Sequence, residues 1–335
     1  MKFKVVLSHS VCEETVRLLV PHCEVVCNEG GDALGRRELI RRCADADALM
    51  AFDADHIDDE FLACCPQLKV IGATLKGCDN FDVEACTARG IWLCNVPDHL
   101  TAPTAELAIG LLLALSRNLI AADRYVRNGA FRGWLPMFFG KGLSGSTVGI
   151  IGMGTLGQAI ARRLQGFEVR LLYHDLRRLD AMSEGRLDVN YADLESVVAN
   201  AAYLLPMVPL TSATRHLIDA AMIARMQPGA CLINACRGSV VDEAAVAGAL
   251  KDGRLGGYAA DVFAFEDWSD PERPDSIHPG LLAMRESTVL TPHLGSAVVE
   301  ARKRIEREAA WNIIAALRGD VPPHAVNMLR RDAFA

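Results

Sequence analysis

The sequence predicts an α/β protein built from two doubly wound parallel-sheet domains. Short apolar segments alternate with helix-period segments along nearly the whole chain, which is typical of a parallel sheet covered by helices. The alternation begins afresh after a long helix-prone stretch over residues 101–129. The length of 335 residues also favours two domains, because a single domain usually holds about 150 residues.

The composition argues against several classes of protein. The chain has 51% hydrophobic and 23% charged residues, which are ordinary values for a packed globular protein. A net charge of −7 argues against nucleic-acid or anionic-membrane partners, because these require a basic surface. The sequence contains neither a signal-peptide core nor an apolar run near the ~18 residues of a membrane span. We expect a cytoplasmic protein without a metal site, in which the eleven cysteines serve as small apolar residues.

The N-terminal third of the chain predicts the first sheet. Its apolar runs have the length of buried strands, and two segments between them show the period of a helix. The predicted strands are Lys4–Leu7, Ala48–Phe52, Lys69–Ala73 and Ile91–Asn95. The predicted helices are Cys12–Leu19 and Arg37–Cys43.

One long helix is predicted next, from Thr101 to Gly129. It begins with helix-start residues and ends at Asn128–Gly129, a pair typical of helix ends. A second series of strands, separated by helical segments, follows and predicts the second sheet. Its predicted strands are Thr147–Ile151, Val169–His174, Tyr203–Pro206, Ala230–Ala235, Gly257–Phe263 and Thr288–Thr291.

The sharpest local signal is the motif Gly152-Met-Gly-Thr-Leu-Gly157, which follows the strand Thr147–Ile151 and opens a helix near Leu156. Such a motif is weak when it stands alone, but its position between a strand and a helix is the one that dinucleotide binding requires. Gly152 allows the tight turn, Gly154 lets the backbone approach a pyrophosphate, and Gly157 lets the helix pack on the strand. The pyrophosphate would lie at the positive N-terminus of the helix.

The end of the next predicted strand favours NAD over NADP as the cofactor. Asp175 lies 18 residues after Gly157, where a carboxylate can accept hydrogen bonds from both ribose hydroxyls of NAD. The same carboxylate would repel the 2′-phosphate of NADP. Arg177 and Arg178 weaken this preference, because a neighbouring arginine can accommodate that phosphate.

Three polar residues follow three successive strands of the second sheet. Arg237 comes after a run that is apolar except for Asn234, and a guanidinium is rarely buried unless it is paired. Ligands of doubly wound sheets bind outside the carboxyl ends of the strands, so Arg237 could hold a carboxylate or an oxyanion there. Glu266 and His293 follow the next two strands and could form an oriented acid–base pair. Each residue also has an ordinary interpretation, such as a solvated carboxylate for Glu266, but their shared position at strand ends favours a site.

The order of the motifs GMGTLG, CRGSVVDE, AADVFAFED and TPHLGSA resembles that of the D-isomer-specific 2-hydroxyacid dehydrogenases. The resemblance covers almost the whole chain and implies that Arg237, Glu266 and His293 are catalytic. It implies a Rossmann-like coenzyme domain of residues 101–297, inserted into a split substrate domain of residues 1–100 and 298–335. It also implies a homodimer formed through the long helices of the coenzyme domain.

The positions that bind coenzyme in this family are matched as well, so NAD is the expected cofactor. Asp261 would hold the nicotinamide carboxamide. The implied coenzyme contacts are Lys76, Thr104, Gly152, Gly154, Thr155, Leu156, Gly157, Asp175, Pro206, Met207, Val208, Ala235, Asp261 and His293.

Within the family, the finer resemblance is to the phosphite dehydrogenases, through stretches such as LKGCDNFDVEACTARGIWL and GWLPMFFG. Lys76 and Arg302 could join Arg237 in a three-cation clamp that suits a small dianion. Trp134 and Phe139 would form an aromatic wall against bulk water. The implied substrate contacts are Lys76, Gly77, Arg237, Arg302, Trp134 and Ser296.

The reaction implied by this finer resemblance is NAD-dependent oxidation of phosphite to phosphate by hydride transfer to nicotinamide. Two departures from the phosphite pattern, Asp53 and Phe139, favour an alternative, because a carboxylate at Asp53 would repel a dianion. The alternative is a D-2-hydroxyacid dehydrogenase or a reductase of 2-keto acids such as glyoxylate and hydroxypyruvate, in which Arg237 holds the carboxylate. A third alternative is an NAD-sensing binding protein of the corepressor kind, which would show no turnover.

Overall fold

The computed structural model describes residues 2–329 and divides them into two compact units. The first, which we call the terminal unit, contains residues 2–100, 268–271 and 296–329. The second, the central unit, contains Thr101–Asp267 and Glu272–Gly295. Each unit is built on a parallel sheet flanked by helices, so the predicted α/β fold class is confirmed.

The strands and helices alternate along the chain as the sequence predicts. The strands are β1 Phe3–Leu7, β2 Cys23–Val26, β3 Ala48–Ala51, β4 Val70–Ala73, β5 Trp92–Cys94, β6 Thr147–Ile151, β7 Arg170–His174, β8 Val189–Tyr191, β9 Tyr203–Pro206, β10 Ala230–Asn234, β11 Leu255–Ala260 and β12 Thr288–Leu290. The helices are α1 Glu13–Leu19, α2 Arg36–Cys43, α3 Asp59–Ala63, α4 Val83–Ala88, α5 Thr101–Ser116, α6 Leu119–Arg127, α7 Thr155–Leu164, α8 Ala181–Leu187, α9 Leu194–Asn200, α10 Ala220–Arg225, α11 Glu243–Lys251, α12 Pro279–Ala283 and α13 Val299–Leu317. Short 3₁₀ turns lie at Gln165–Phe167, Gly238–Val240 and Ala264–Glu266.

The sheet of the terminal unit has the strand order β2-β1-β3-β4-β5, and all of its pairings are parallel. Strands β3 and β4 are buried along their whole length, as expected for parallel strands covered on both faces. Helix α13 packs directly on β4 at Gly72. The sequence did not predict β2, a short edge strand that includes Glu24 and of whose four residues only Cys23 is buried.

The sheet of the central unit has the order β12-β11-β10-β9-β6-β7-β8, again with parallel pairings throughout. The strand order reverses between β6 and β9, which is the point where doubly wound sheets bind dinucleotides. Strands β6 and β9 have the predicted bounds, whereas the three-residue edge strand β8 was missed.

The predicted single helix from Thr101 to Gly129 is wrong, because the chain forms α5 and α6 with a break between them. Asn118 adopts a left-handed backbone conformation, with φ of 53°, which ends the regular hydrogen bonding of α5. The amide of Lys141 donates to the carbonyl of Ser116 at 2.9 Å and so caps the end of α5. Within residues 2–329, no single helix is long and apolar enough to cross a membrane; only α5 and α6 together pass on length and composition, across a 65° bend.

The close packing of α13 on β4 predicts an effect on stability. A Cβ atom at Gly72 would lie 2.7 Å from Cγ1 of Ile313 and 3.0 Å from the carbonyl oxygen of Ala309. We expect Gly72→Ala to lower the free energy of unfolding by about 1–3 kcal/mol through overpacking, measured by urea denaturation. Gly31→Ala is the matched control, because a Cβ there meets nothing within 4 Å. Equal unfolding free energies for the two variants would contradict this account of the packing.

Candidate active site

The glycine motif forms a tight turn between β6 and α7. Gly152 has a φ of 97°, and a Cβ there would lie 2.5 Å from the carbonyl oxygen of Met207. A Cβ at Gly157 would collide with the carbonyl oxygen of Gly152, so the third glycine lets α7 pack against the turn. A Cβ at Gly154 would meet nothing within 4 Å, and α7 begins at Thr155, one residue earlier than predicted. The turn therefore leaves open space in front of the helix N-terminus.

Asp175 is fixed beside this turn at the end of β7. Its Oδ2 accepts a hydrogen bond from the amide of Met153 at 2.6 Å, and its Oδ1 accepts one from the amide of Arg177 at 3.0 Å. Each carboxylate oxygen has a second lone pair, so both can also accept from hydroxyl groups. Arg178 forms a bidentate ion pair with Glu184, with both distances 2.9 Å, so its guanidinium is already paired with another carboxylate. This arrangement suits a ribose with free hydroxyls better than a 2′-phosphate.

The other predicted coenzyme residues of the central unit surround the same sheet edge. Pro206 ends β9, and the amide of Met207 donates to the carbonyl of Ile151 at 2.6 Å, which holds the ends of β6 and β9 together. Ala235 follows β10 and is buried. These positions, the open turn and the fixed carboxylate fit a dinucleotide. The remaining predicted contacts in this unit are Thr104 on α5, Leu156 on α7 and Val208 after Met207.

Arg237 is partly buried in the connection that follows β10. The side chain of Asn234, which is inaccessible to solvent, donates to the carbonyl of Arg237 at 2.9 Å and accepts from the amide of Cys236 at 3.2 Å. Gly238 then packs so closely on the backbone of Phe263 that any Cβ would collide with it. This contact brings the 3₁₀ turn after Arg237 against the 3₁₀ turn that carries Glu266.

Glu266 and His293 form the hydrogen-bonded pair that the sequence predicts. His293 Nδ1 lies 2.7 Å from Glu266 Oε2, and the two side chains are 30% and 25% exposed. The other carboxylate oxygen, Oε1, accepts from the amide of Phe263 at 2.7 Å. An ionised Glu266 can accept hydrogen bonds but cannot donate them, so Nδ1 of His293 carries the proton. Nε2 lies on the side of the imidazole ring away from Glu266. The backbone of His293 is left-handed, with φ of 53°, which is an uncommon conformation for a non-glycine residue.

Asp261 holds the loop that carries His293. It is 1% exposed, and its carboxylate accepts from Thr291 Oγ1 at 2.6 Å and from the amides of Leu294 at 2.7 Å and Gly295 at 2.8 Å. Burial raises the pKa of Asp261, and these hydrogen bonds oppose that rise. The carboxylate therefore fixes the loop, while its predicted contact with the nicotinamide carboxamide stays a prediction.

Two further buried carboxylates support the site and were missed in the sequence. Glu243 accepts from the amide of Ala264 at 2.8 Å and from the amide of His278 at 3.0 Å. Asp267 accepts from the amide of Ser239 at 2.8 Å. Both residues hold the 3₁₀ turns beside Arg237 and Glu266. Both carboxylates could have been found from the sequence, because they stand next to the strand-end motifs, in VVDEAA and FED.

Several predicted substrate residues lie in the terminal unit and are described there. Lys76 is exposed, and its carbonyl accepts from Asn95 Nδ2 at 2.8 Å, which ties the loop after β4 to the end of β5. Gly77 follows it and is partly buried. Ser296 precedes α13, and its carbonyl accepts from the amide of Val298 at 2.8 Å. The substrate roles of these residues stay predictions.

One cation of the predicted three-cation clamp, Arg302, has a carboxylate partner, and the clamp itself stays a prediction. Arg302 Nε lies 3.4 Å from Glu306 Oε1, a carboxylate that is 3% exposed, so part of the arginine charge is already balanced. Trp134 and Phe139, the residues of the predicted aromatic wall, are 83% and 81% exposed, and their role as a wall stays a prediction. They lie in a stretch without regular secondary structure after α6, where few side chains can cover them.

Comparison with known proteins identifies the central unit. Residues 109–295 match the family model described as D-isomer specific 2-hydroxyacid dehydrogenase, NAD binding domain. A glyoxylate reductase from Pyrococcus furiosus is 38% identical over 332 residues, covering 98% of this chain and 96% of the relative. Another, from Thermofilum pendens, is 38% identical over 97% of this chain and 94% of its own length.

Solved structures agree over the whole length. A protein from Thermus thermophilus has a TM-score of 0.88 and 33% identity, covering 97% of this chain and 100% of its own. An NADPH-dependent glyoxylate/hydroxypyruvate reductase from Sinorhizobium meliloti, in complex with NADP and malonate, has a TM-score of 0.84 and 28% identity, with 99% of both chains covered.

These comparisons correct the expected reaction. The sequence was interpreted chiefly as a phosphite dehydrogenase, and that interpretation is wrong, because the full-length relatives above are named glyoxylate reductase. They favour the alternative drawn from Asp53. That interpretation rested on local stretches of sequence and on the clamp, which counted Arg302 without the buried Glu306 that lies 3.4 Å from it.

The geometry at β7 predicts how the chain distinguishes the two nicotinamide coenzymes. Asp175→Ser should lower the affinity for NADH by about tenfold and raise that for NADPH, because the acceptor for the ribose hydroxyls and the charge that repels the phosphate both disappear. Titration of protein fluorescence with each coenzyme measures both dissociation constants. Asp180→Ser, at the N-cap of α8, is a control of equal charge and should leave their ratio unchanged. An unchanged ratio in Asp175→Ser would contradict the assigned role.

Proposed function

The chain belongs to the D-isomer specific 2-hydroxyacid dehydrogenase family, and we propose that it reduces small 2-oxo acids to 2-hydroxy acids with NADH. Glyoxylate and hydroxypyruvate are the first substrates to be tested. The observation that carries the proposal is the 2.7 Å contact between His293 Nδ1 and Glu266. Arg237 lies in the same unit, and Gly238, which follows it, packs on Phe263 near Glu266. Names of full-length relatives support the same reaction.

Arg237 binds the substrate in this proposal. Its planar guanidinium can hold a carboxylate in a bidentate manner, which would orient the neighbouring carbonyl group. Asn234 and Gly238 fix the backbone on both sides of Arg237, so little conformational freedom remains to be lost on binding. Backbone order of this kind is what a substrate-orienting residue requires.

His293 is the proton donor. NADH, when bound, would supply the hydride that the carbonyl carbon of the substrate accepts. The protonated imidazole gives the Nε2 proton to the carbonyl oxygen as negative charge develops there. Glu266 keeps Nδ1 protonated and stabilises the imidazolium before transfer, and the fixed loop holds Nε2 in one direction.

The most direct test is the loss of NADH absorbance at 340 nm with purified protein. Glyoxylate and hydroxypyruvate should each be reduced, whereas NAD⁺ offered with phosphite should yield no NADH. Absence of turnover with every 2-oxo acid, together with tight NADH binding, would overturn the proposal and favour the coenzyme-sensing alternative.

The acid–base pair predicts two graded effects. His293→Asn should lower kcat for glyoxylate by about a thousandfold, because the proton donor is lost. Glu266→Gln should lower it less, by about ten- to a hundredfold, because the amide still accepts a hydrogen bond but no longer stabilises the imidazolium. The thermal midpoint serves as the control and should change little. A rate within threefold of wild type in His293→Asn would remove His293 as the donor.

We also propose that the chain forms a homodimer through α6 and the stretch that follows it. None of the residues of α6 is buried, although the helix carries several large apolar side chains. Large apolar side chains exposed this close together in sequence favour an interface, and a second copy of the chain is the commonest partner. The exposed large apolar residues are Leu119, Ile120, Val126, Phe131, Trp134, Leu135, Met137 and Phe139.

Light scattering tests the dimer. Wild type should have twice the chain mass of 36.3 kDa, and the double variant Phe131→Ser, Trp134→Ser should shift toward the monomer. Met182→Ser removes an exposed apolar side chain from α8 and should remain dimeric. A monomeric wild type would contradict the proposal, and so would a double variant with unchanged mass.

A further inference from the structure

Two buried cysteines of the terminal unit occupy equivalent positions before neighbouring strands. Cys43 ends α2, and Cys65 lies two residues after the end of α3. Strands β3 and β4 follow them and pair in parallel, with Ala48 opposite Val70. Each cysteine therefore lies five residues before its member of this residue pair. The register of the sheet thus brings the two chain segments side by side.

Contacts further along the same segments fix their spacing. The amide of Lys69 donates to the carbonyl of Asp47 at 2.8 Å, and Lys69 Nζ lies 2.9 Å from Asp47 Oδ1. Asp47 and Lys69 stand four residues after Cys43 and Cys65, respectively. The carbonyl of each cysteine also accepts from the amide three residues later, at 3.0 Å after Cys43 and at 3.2 Å after Cys65. The two turns therefore have the same local form and are tied to each other.

The thiols of the two cysteines meet inside one apolar core. Both side chains are inaccessible to solvent and belong to the same cluster of buried residues. They hydrogen-bond to each other, and this bond lowers the pKa of Cys65 although burial opposes the change. The same interaction raises the pKa of Cys43, and burial raises it further. Cys65 is therefore the thiol that ionises first, and Cys43 donates the hydrogen bond to its thiolate.

The pair lies beneath a thin surface layer. Cys65 is flanked along the chain by the exposed residues Cys64 and Pro66, and Cys43 is followed by the exposed Ala44. Helix α3, which ends just before Cys65, has only five residues. Short segments with many exposed residues open locally at a low cost in free energy. A local opening of this segment would expose Cys65 to a small reagent.

We propose that Cys43 and Cys65 form a reversible disulfide with each other when the chain meets an oxidised low-molecular-weight thiol. The terminal unit then carries a redox-sensitive modification site. Two adjacent thiols, one of which stabilises the other as a thiolate, are the arrangement that thiol–disulfide exchange requires. The expectation that every cysteine serves as a small apolar residue is revised for this pair. The inference does not depend on the proposed function, because neither cysteine takes part in the proposed reaction.

The chemistry is a pair of exchanges with a disulfide reagent RSSR. The thiolate of Cys65 attacks one sulfur of RSSR, so that a mixed disulfide forms at Cys65, the S–S bond of the reagent breaks and RS⁻ leaves. The thiolate of Cys43 then attacks the sulfur of Cys65, and the second RS⁻ leaves. The two protons lost by the cysteines end on the two RSH molecules. The cysteine pair is oxidised by two electrons, and RSSR is reduced by two.

A disulfide at this position should stabilise the fold. The bond restricts the unfolded chain, whereas in the folded chain the two thiols are already in contact. We expect the oxidised protein to have a thermal midpoint about 5 °C or more above that of the reduced protein.

The test uses the full-length protein in buffers of reduced or oxidised glutathione. Free thiols are alkylated with N-ethylmaleimide after denaturation and counted by intact mass, which also shows attached glutathione. Oxidised wild type should bind two fewer maleimides than reduced wild type, and dithiothreitol should restore both thiols. Digestion with trypsin and endoproteinase Asp-N separates Cys43 from Cys64 and Cys65. The digest should contain a disulfide that links these two regions.

Matched variants identify the partners. Cys43→Ala and Cys65→Ala should each prevent formation of the disulfide and the rise in thermal midpoint. Cys64→Ser changes the exposed neighbour, and Cys86→Ala changes another buried cysteine of the terminal unit. Both of these control variants should form the disulfide as wild type does. The peptide link in wild type keeps the test decisive even if an alanine variant fails to fold.

Three results would overturn the inference. The first is an equal number of free thiols in wild type from the two buffers. The second is glutathione attached to Cys64 without any link to Cys43. The third is a disulfide that still forms, with the same rise in thermal midpoint, in a folded Cys43→Ala variant.

Discussion

The hydrogen bond between His293 Nδ1 and Glu266 depends on several other contacts of the central unit. It requires a left-handed backbone at His293 and a carboxylate with one oxygen already committed to the amide of Phe263. Neither condition would persist in a mobile loop. Buried carboxylates supply the rigidity, since Asp261 fixes the His293 loop and Glu243 fixes the turn that carries Glu266. Each charge is paired with backbone amides, which offsets the cost of removing it from water.

The same sheet geometry organises both units. Parallel strands deliver their polar residues to one edge, and the edge is most open where the strand order reverses. In the central unit the reversal lies beside the glycine turn and Asp175, which fit the coenzyme. In the terminal unit it lies between β1 and β3, where Phe52 is flanked by His9 and Arg302. The fold thus explains why chemistry-bearing side chains from distant parts of the sequence are gathered at two places.

Much of this arrangement can be predicted from local sequence, because strand periodicity and the glycine motif depend on neighbouring residues. Strands β6 and β9 and the pairing of Glu266 with His293 follow from such patterns. The edge strands β2 and β8 escape detection because they are short and only partly buried. The break at Asn118 depends on the returning chain near Lys141, a contact that local periodicity cannot report.

The substrate was harder to predict than the fold for a related reason. Residue types at Lys76, Arg237 and Arg302 indicated a dianion site, but charge balance depends on partners that are distant in sequence. Cys12 and Thr15, almost three hundred residues away, anchor the carboxylate that partners Arg302. Such a network is visible only in the three-dimensional structure, and it balances part of the positive charge that the sequence alone assigns to Arg302.

The central claim is that this chain passes a hydride from NADH to the carbonyl carbon of a 2-oxo acid while His293 supplies the proton. Reduction of glyoxylate with NADH deuterated at both C4 positions, followed by NMR of the product, tests it most directly. We predict glycolate with one deuterium at C2 for each NADH consumed, and almost none formed by His293→Asn in the same time. Consumption of NADH without deuterium at C2 of glycolate would contradict the claim.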